Sequence, residues 1–564
     1  MNAVSKADQQ VARIARRLPR VDRWILVVSL TALLLSLPVL SVFSFVLQPA
    51  GEVWQHLAET VLKDYVVNSL ILMMGVAVGT LAIGVPTAWL TSMCEFPGRR
   101  LFQWTLLLPM AMPAYIIAYT YTGMLDFAGP VQTTLRHWFG WSYGDYWFPE
   151  VRSITGAIVM LSLVLYPYVY LLARAAFLEQ SGGVLEASRT LGAHAWHSFF
   201  RVALPLARPA VVTGLSLALM ETLADYGTVQ YFGISTFTTG IFRTWFGLGD
   251  SAAAAQLSSL LLTFVFALLL LERWSRRRAR YHHTGGRYSR PHRTRLHGPL
   301  RTLAMLVCVS PLLLGFLLPA GQLLIWAVRT GAEILNVQFF NLAWHSLVLA
   351  AAAAVIALVL ALLMGYGKRL RPVPVVRFAV RVAGMGYAIP GPVVAVGVML
   401  PFAWMDNAID TWARSLFGHS TGLLFSGTVF ILLFAYVVRF LAVSLNTVDA
   451  GLTKIKPSMD DAARSLGLGP AALLRKVHVP IMRGTLLTAL LLVFVDVLKE
   501  LPATLVLRPF NFNTLAVRAF ELAADERLAE SASAALTIVI VGIVPVLLLS
   551  RSIDRRGSGD ASAA

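Results

Sequence analysis

The sequence predicts an all-α membrane protein with about twelve transmembrane helices, arranged as two parallel six-helix repeats. Composition, long apolar runs and an internal repeat lead to this prediction. Of the 564 residues, 57% are hydrophobic and only 13% are charged, whereas soluble domains carry about 25% charged residues. Apolar runs of about 18 or more residues are typical of membrane helices. The candidate spans lie near 24–47, 66–91, 104–124, 152–177, 209–231, 254–272, 303–328, 342–366, 379–402, 422–445, 484–506 and 531–550.

The basic residues predict the orientation of these spans. The formal net charge is +18, and lysine and arginine in short loops mark the cytoplasmic side of a membrane protein. If twelve spans are counted, the basic loops all fall on one side, which is the side of Arg13, Arg16, Arg17, Arg20, Arg23, Arg99, Arg100, Lys368, Arg369, Arg371, Arg377 and Arg381. We therefore expect a multi-pass protein of the bacterial inner membrane with both termini in the cytoplasm. The charge indicates contact with the lipid bilayer and not with nucleic acid.

The chain divides into five predicted segments. They are a cytoplasmic head (1–23), a first half (24–272), a basic cytoplasmic linker (273–301), a second half (302–550) and a cytoplasmic tail (551–564). The linker contains RRRAR and four histidines. These histidines could bind a metal, but a solvated linker near anionic headgroups is the favoured interpretation. Cys94 and Cys308 lie in or beside apolar runs without metal-type spacing, so a disulfide framework is not expected.

The internal repeat is clearest in two polar loops. The sequence LEASRTL at 185–191 recurs as DDAARSL at 460–466, an offset of 275 residues that continues through the next span. Upstream the offset is about 277, where 68–70 faces 345–347 and Pro113 faces Pro390. Each half has an even number of predicted spans, so both halves enter the membrane in the same orientation. An axis along the membrane normal then relates them, with a pathway between them.

The sequence of each of these loops, about 179–207 and 446–483, predicts a short helix, a turn and a second helix. A small alanine follows the acid of the first helix, and glycine is suited to the turn that ends it. A proline thirteen residues after the glycine is predicted to break the second helix where the chain re-enters the membrane. The residues of this motif are Glu186, Ala187, Gly192 and Pro205 in the first loop, and Asp461, Ala462, Gly467 and Pro480 in the second.

These loops resemble the EAA loops of bacterial ABC importer permeases. The second copy departs mildly from that pattern, with Asp461 in place of Glu and His478-Val479-Pro480 at its end. The resemblance implies a type I ABC importer fold in which each loop docks on one of two copies of a cytoplasmic ABC ATPase. It also implies a periplasmic substrate-binding protein. The chain lacks the G-x-x-x-x-G-K-[ST] sequence of a P-loop, so we expect it to bind no cofactor and its partner subunits to use ATP.

The substrate is harder to predict. The segments 112–136, 223–246 and 499–521 resemble the fused permeases of ferric-iron importers, with thiamine permeases as the nearest alternative. Two pairs of acids also lie four residues apart at equivalent positions of the repeat, which places each pair on one helix face. Acids within a span are functional candidates, and carboxylates suit a hard cation. The candidate pathway is therefore Glu221, Asp225, Tyr226, Asp496 and Glu500, with no metal site firmly assigned.

Other interpretations remain open at this point. The acids could belong to a structural network that Lys499 neutralises, and five tyrosines at helical spacing are more typical of packing than of ligands: Tyr115, Tyr119, Tyr166, Tyr168 and Tyr170. An ion-coupled secondary transporter can also have two parallel six-helix repeats, but it would not need two matched loops. A membrane enzyme is disfavoured because the chain has no HExxH or GxSxG motif. The chelation state of a transported metal, the conformational state and the role of the linker are not predicted.

Overall fold

The computed structural model describes residues 22–49, 51–142, 144–179, 195–277, 293–334 and 336–558. In the predicted first half and linker the helices are α1 (Arg23–Ser44), α2 (Glu52–Thr60), α3 (Leu62–Met93), α4 (Arg99–Thr105), α5 (Ala114–Leu125), α6 (Pro130–Phe139), α7 (Ile154–Glu179), α8 (Ala195–Ser198), α9 (Leu204–Ala224), α10 (Gly227–Tyr231), α11 (Phe237–Phe242) and α12 (Ser251–Arg277). Two short parallel strands, β1 (Cys94–Glu95) and β2 (Thr294–Arg295), attach the end of the linker to the first half.

The helices of the second half follow the same order. They are α13 (Gly298–Leu312), α14 (Leu318–Ile334), α15 (Val337–Leu370), α16 (Pro374–Ala383), α17 (Gly391–Phe417), α18 (Val429–Leu452), α19 (Pro457–Ser465), α20 (Pro470–Leu473), α21 (Val479–Leu498), α22 (Pro502–Leu507), α23 (Leu515–Ala524) and α24 (Leu528–Ser558). Short 3₁₀ helices occupy Phe45–Leu47, Leu108–Ala111 and Gly386–Ala388, and π-helical turns occupy Phe199–Ala203, Arg243–Gly247, Leu313–Leu317 and Leu474–His478.

The number of spans agrees with the sequence prediction. Within the described ranges, eleven helices are long and apolar enough to cross a membrane, and the count is twelve if one bent pair is taken as a single span. That pair, Arg99–Ala111 and Ala114–Phe139, bends by 90°. The bend lies at Pro113, which has a φ of −58° and precedes the first residue of α5. The prediction of a helical, duplicated membrane protein is therefore confirmed.

Three predicted spans have different bounds in the structure. The span predicted at 379–402 is interrupted, because α16 ends at Ala383 and α17 begins only after Pro390. The spans predicted at 209–231 and 484–506 end early, at Ala224 and Leu498. In both cases a short helix follows, α10 or α22. Apolar composition alone does not separate a span from a short helix packed beside it, and this is why the prediction joined them.

The predicted helix breaks at Pro205 and Pro480 are wrong. The helix continues through each proline, giving single spans of Phe199–Ala224 and Pro470–Leu498. A π-helical turn precedes each proline, and the amides of Leu204 and Val479 donate five residues back, to the carbonyls of Phe199 and Leu474. A wider turn of this kind re-satisfies the backbone around a proline, so the chain enters the membrane region without a break.

The first span of each half packs against the other half. A side chain at Gly397 of α17 would collide with the carbonyl oxygen of Pro38 in α1, so these two helices are in backbone contact. In the opposite direction, the hydroxyl of Tyr121 in α5 donates to the carbonyl of Leu314, at a distance of 2.6 Å. The two halves are therefore interlocked by the exchange of their first spans.

Candidate functional site

A cavity of about 120 Å³ lies where the two halves meet. Both halves contribute equivalent segments, namely the chain around Pro113 and α7, α9 and α10 from the first half, and the 386–388 turn, α18, α21 and α22 from the second. All five predicted pathway residues line it, Glu221, Asp225, Tyr226, Asp496 and Glu500. The structure therefore brings the predicted pathway together at the interface that the repeat symmetry implies.

Two of these acids cap the short helices α10 and α22, which follow the ends of α9 and α21. The carboxylate of Asp225 accepts hydrogen bonds from the Thr228 hydroxyl at 2.9 Å and the Val229 amide at 3.1 Å. Glu500 accepts from the amides of Ala503 at 2.8 Å and Thr504 at 3.0 Å. Carboxylates stabilise helix N-termini, where backbone amides lack partners. Both acids therefore hold the short helices α10 and α22 in place.

Two cations neutralise the acids of the second half. The guanidinium of Arg439 in α18 lies 2.8 Å from the Glu500 carboxylate, and both side chains are more than nine-tenths buried. Lys499 lies 2.9 Å from Asp496, which agrees with the alternative that this lysine neutralises an acid. Arg439 was not among the residues predicted from the sequence. A lone arginine inside an apolar run was the signal that could have found it.

Glu221 differs from the other three acids. Within the described ranges no hydrogen bond or ion pair joins its carboxylate to another side chain, although Lys499 is near enough to interact with it electrostatically. The described residues contain no group of three or more His, Cys, Asp and Glu side chains that could hold a metal ion. Among the described residues that line the cavity, Glu221 is therefore the carboxylate that no hydrogen bond or ion pair engages.

The tyrosines divide into packing and cavity residues. The hydroxyl of Tyr166 donates to the carbonyl of Leu106 at 2.8 Å, and Tyr170 similarly donates to a backbone carbonyl of the α4 segment. In contrast, the hydroxyls of Tyr168 and Tyr387 meet across the two halves at 3.3 Å and line the cavity. Tyr387 was not among the predicted residues.

Two further tyrosines of the predicted set also face the cavity. Tyr115 lines it, and its buried hydroxyl has no hydrogen-bond partner among the described residues. Tyr226 is held by stacking on Phe242, with ring centroids 3.7 Å apart. Tyr119 lies deeper, with its ring edge-on to Tyr231. The cavity wall is therefore partly phenolic, and the packing interpretation holds for only part of the set.

The second predicted coupling loop forms α19, a turn and α20. Gly467 has a φ of 81° directly after α19, which is the left-handed turn that the sequence predicts at this position. Asp461 and Ala462 are exposed on α19. Of the first loop, Glu186, Ala187 and Gly192 lie outside the described residues. The docking role of both loops remains a prediction.

Comparison with known proteins places the chain in a family. Residues 80–281 and 357–558 each match the model of the binding-protein-dependent transport system inner membrane component. The Fe(3+)-transport system permease protein FbpB 2 of Haemophilus influenzae is 24% identical over 534 residues, covering 93% of this chain and 97% of that protein. The ferric transport system permease protein FbpB of Actinobacillus pleuropneumoniae is 23% identical over 463 residues, covering 77% of this chain and 63% of that protein.

A third relative matches a shorter stretch. The molybdenum transport system permease protein ModB of Escherichia coli K12 is 28% identical over 207 residues, covering 36% of this chain and 87% of that protein. The family model thus matches each half once and covers most of the chain, and the apolar helices make the chain a multi-pass membrane protein. The chain belongs to the family of binding-protein-dependent transport system inner membrane components and is a transport permease subunit with both of its halves in one polypeptide.

Proposed function

We propose that this permease imports ferric iron, driven by two copies of a cytoplasmic ABC ATPase and supplied by a periplasmic substrate-binding protein. The observation that carries the proposal is the near end-to-end match to an Fe(3+)-transport system permease, which includes both halves in the same order. The absence of a P-loop sequence supports ATP hydrolysis on the partner subunits. Both termini then lie in the cytoplasm, on the side of the basic loops.

The charges of the cavity support a route for a cation. Four carboxylates face two cations there, so the cavity is net negative if all six groups are ionised. Negative charge lowers the barrier for a cation in a low-dielectric passage, and oxygen ligands suit a hard ion. Because a conducting site must also release its ion, a single free carboxylate at Glu221 is better suited than a closed cage.

The test compares acids at equivalent positions of the repeat, Glu221 without a bonded partner and Asp496 with Lys499 as its partner. Glu221→Gln and Asp496→Asn are expressed with the ATPase and binding protein in cells that lack other iron importers, and uptake of radiolabelled ferric iron is measured. We expect Glu221→Gln to lower uptake about tenfold or more, equivalent to roughly 1.4 kcal/mol or more in the transport barrier. Asp496→Asn should have a smaller effect, because Lys499 already offsets that charge.

Membrane abundance and ATPase activity are measured in parallel as controls. Equal and normal uptake in both variants would contradict the route through Glu221. Uptake of thiamine in place of iron by the unmodified complex would overturn the substrate assignment, while the importer assignment would stand.

A second candidate is the import of an oxyanion. It is favoured by the cations Arg439 and Lys499 at the cavity and by the similarity to a molybdenum transport permease. Each cation already has a carboxylate partner, which weakens its attraction for an anion. Uptake of radiolabelled molybdate in the same cells distinguishes the two candidates, since an oxyanion route predicts molybdate uptake and no iron uptake.

A further inference from the structure

The two adjacent acids of α19 have opposite environments. The side chain of Asp461, the acid of the loop motif, is 72% exposed and, among the described residues, pairs only with Arg464, at 3.2 Å. The side chain of Asp460 is 9% exposed and points toward the membrane helices. The motif residue is thus free to meet a partner protein, whereas its neighbour is bound inside the permease.

Asp460 accepts hydrogen bonds from two basic side chains. The Nε of Arg369, near the end of α15, lies 2.8 Å from Oδ2. The Nε2 of His478, in the π-helical turn, lies 2.8 Å from Oδ1. Burial opposes ionisation of Asp460, but the bonds from Arg369 and His478 outweigh it and lower the pKa of this carboxyl below its ordinary value. The carboxylate is therefore charged at neutral pH, and both of its oxygens are engaged.

The same arginine also holds the backbone between α18 and α19. Its terminal nitrogens donate to the carbonyl of Leu452, at the end of α18, and to that of Ile455, just before α19, the latter at 2.8 Å. One turn earlier on α15, the Tyr366 hydroxyl donates to the carbonyl of Pro470 at 2.8 Å. The last turn of α15 is thus bonded to the chain on both sides of α19, just before its start and at the start of α20.

Nearer to its start, α15 is bonded to α23. The hydroxyl of Ser346 accepts a hydrogen bond from the Leu515 amide, the first residue of α23, at 2.8 Å. Ser346 and Arg369 are 23 residues apart within this 34-residue helix, so about 35 Å separates the two attachments at 1.5 Å per residue. A single continuous helix therefore connects the predicted ATPase-facing surface to α23, whose Phe520 ring lies beside the cavity residues Tyr115 and Tyr226.

The first half does not have these side chains. At the positions equivalent to Arg369, Asp460 and His478 it has Ser92, Leu185 and Ala203. The hydroxyl of Ser92 bonds to its own helix, at the carbonyl of Ala88, and Ala203 is fully buried. Leu185 lies outside the described residues. The first half therefore lacks the arginine, aspartate and histidine that form this contact in the second half.

We propose that Arg369, Asp460 and His478 are positioning residues that fix the second coupling loop to α15, so that ATPase movement at α19 reaches α23 at Leu515. The proposal rests on the proposed function, because it assumes that an ATPase docks at α19. In this proposal Asp460 transmits the movement of the ATPase to α15, and Asp461 contacts the ATPase.

The test replaces these three residues of the second half with the residues at the equivalent positions of the first half. In the triple variant Arg369→Ser, Asp460→Leu, His478→Ala, no unpaired charge remains buried, so folding is preserved better than in a single variant. The complete complex, with ATPase and binding protein, is reconstituted in vesicles, and the ratio of radiolabelled ferric iron transported to ATP hydrolysed is measured. We expect this ratio to fall about tenfold, within the range of measured coupling effects, while the ATPase still co-purifies.

Two matched variants sharpen the test. Asp449→Asn removes the neighbouring pair with Lys368, at 2.9 Å, which joins α15 to α18 and not to α19. It should leave the ratio near that of the unmodified protein. Arg369→Lys keeps the charge opposite Asp460 but not the fork of donors to both carbonyls, so it should give an intermediate ratio.

The outcomes separate the two proposals. A triple variant whose uptake and ATP hydrolysis fall in proportion, with an unchanged ratio, would overturn the positioning role, because a merely structural cluster changes the amount of active complex and not its coupling. If the unmodified complex hydrolyses ATP and transports molybdate but not iron, the proposed substrate is wrong. The ratio is then measured with molybdate, and the positioning role is judged on that value.

Discussion

The two halves share one backbone design but distribute their charges differently. In the first half, Asp225 is satisfied by a hydroxyl and an amide, and Glu221 has no bonded partner in the described part of the chain. In the second half, Asp496, Glu500 and Asp460 each pair with a cation of the same half. The cavity acids therefore occupy equivalent positions in the two halves but have different partners, and Asp460 has no acidic equivalent in the first half. On the proposed route through Glu221, the first half would offer charge to the cargo, whereas the ion pairs of the second half hold its own helices together.

The largest expected effect comes from removing the buried cation of the second half. Arg439→Leu leaves the Glu500 carboxylate buried beside its capping amides without a counter-ion. Breaking a buried ion pair on one side typically costs about 3–5 kcal/mol. We expect a marked loss of folded protein, measured as membrane abundance and as the thermal midpoint of the detergent-solubilised complex.

The double variant Arg439→Leu, Glu500→Gln is the matched control, because it removes both charges and keeps a hydrogen-bonding group for the helix. It should recover most of the stability. If Arg439→Leu alone is as stable as the unmodified protein, the second half does not depend on this pair for rigidity.

An intermediate effect is expected at the turn after α19. Gly467 has a positive φ with open space around the position of a Cβ, so Gly467→Val is strained by its backbone alone, at a cost of about 1–3 kcal/mol. Uptake should fall while membrane abundance stays near normal. Gly192→Val is expected to act in the same way in the first loop, and unequal effects of the two variants would sharpen the comparison of the halves.

Gly469 provides the control two residues away. Its φ is −71° and its Cβ position is also open, so Gly469→Val keeps an allowed backbone and should transport normally. Gly467→Asn should be milder than valine, because asparagine tolerates the left-handed region. Equal loss of uptake in Gly467→Val and Gly469→Val would refute the role assigned to the turn.

The smallest expected effect is at the ion pair that joins the halves on the face opposite the coupling loops. Arg152 lies 2.7 Å from Glu526, and both side chains are substantially exposed. Such surface pairs contribute about 0–1 kcal/mol. Arg152→Gln should therefore change the thermal midpoint by no more than a few degrees, in contrast to Arg439→Leu. If Arg152→Gln lowers the thermal midpoint as much as Arg439→Leu does, burial does not explain why exposed and buried ion pairs differ in their contribution to stability.

The sequence predicted the features that depend on local pattern. Apolar length gave the number of spans, the repeated LEASRTL and DDAARSL segments gave the two halves, and the spacing of the acids placed them at one cavity. Gly467 was assigned to a left-handed turn because few other residues adopt that conformation readily. These inferences needed no knowledge of which helices are neighbours.

The features that the sequence did not reveal depend on tertiary contacts. Arg439 and Glu500 are 61 residues apart, and Arg369 and Asp460 are 91 apart, so no periodicity connects them. Asp461 attracted attention through its motif, although Asp460 makes the buried bonds. The π-helical turns before Pro205 and Pro480 were also missed, because a proline in isolation indicates a helix break.

The exchange of first spans has a consequence for how the protein is made. Helix α1 packs against Gly367 and Gly397, and Gly397 is synthesised 359 residues after its contact Pro38. At roughly 5–20 residues per second, α1 waits about 20–70 s in the bilayer before its partner is synthesised. Its 22-residue length is enough to cross the membrane alone. Before then, α1 can pack only on its own half, as at α12, where the Ser259 hydroxyl donates to the Val42 carbonyl at 2.9 Å, and the lock between the halves closes late in translation.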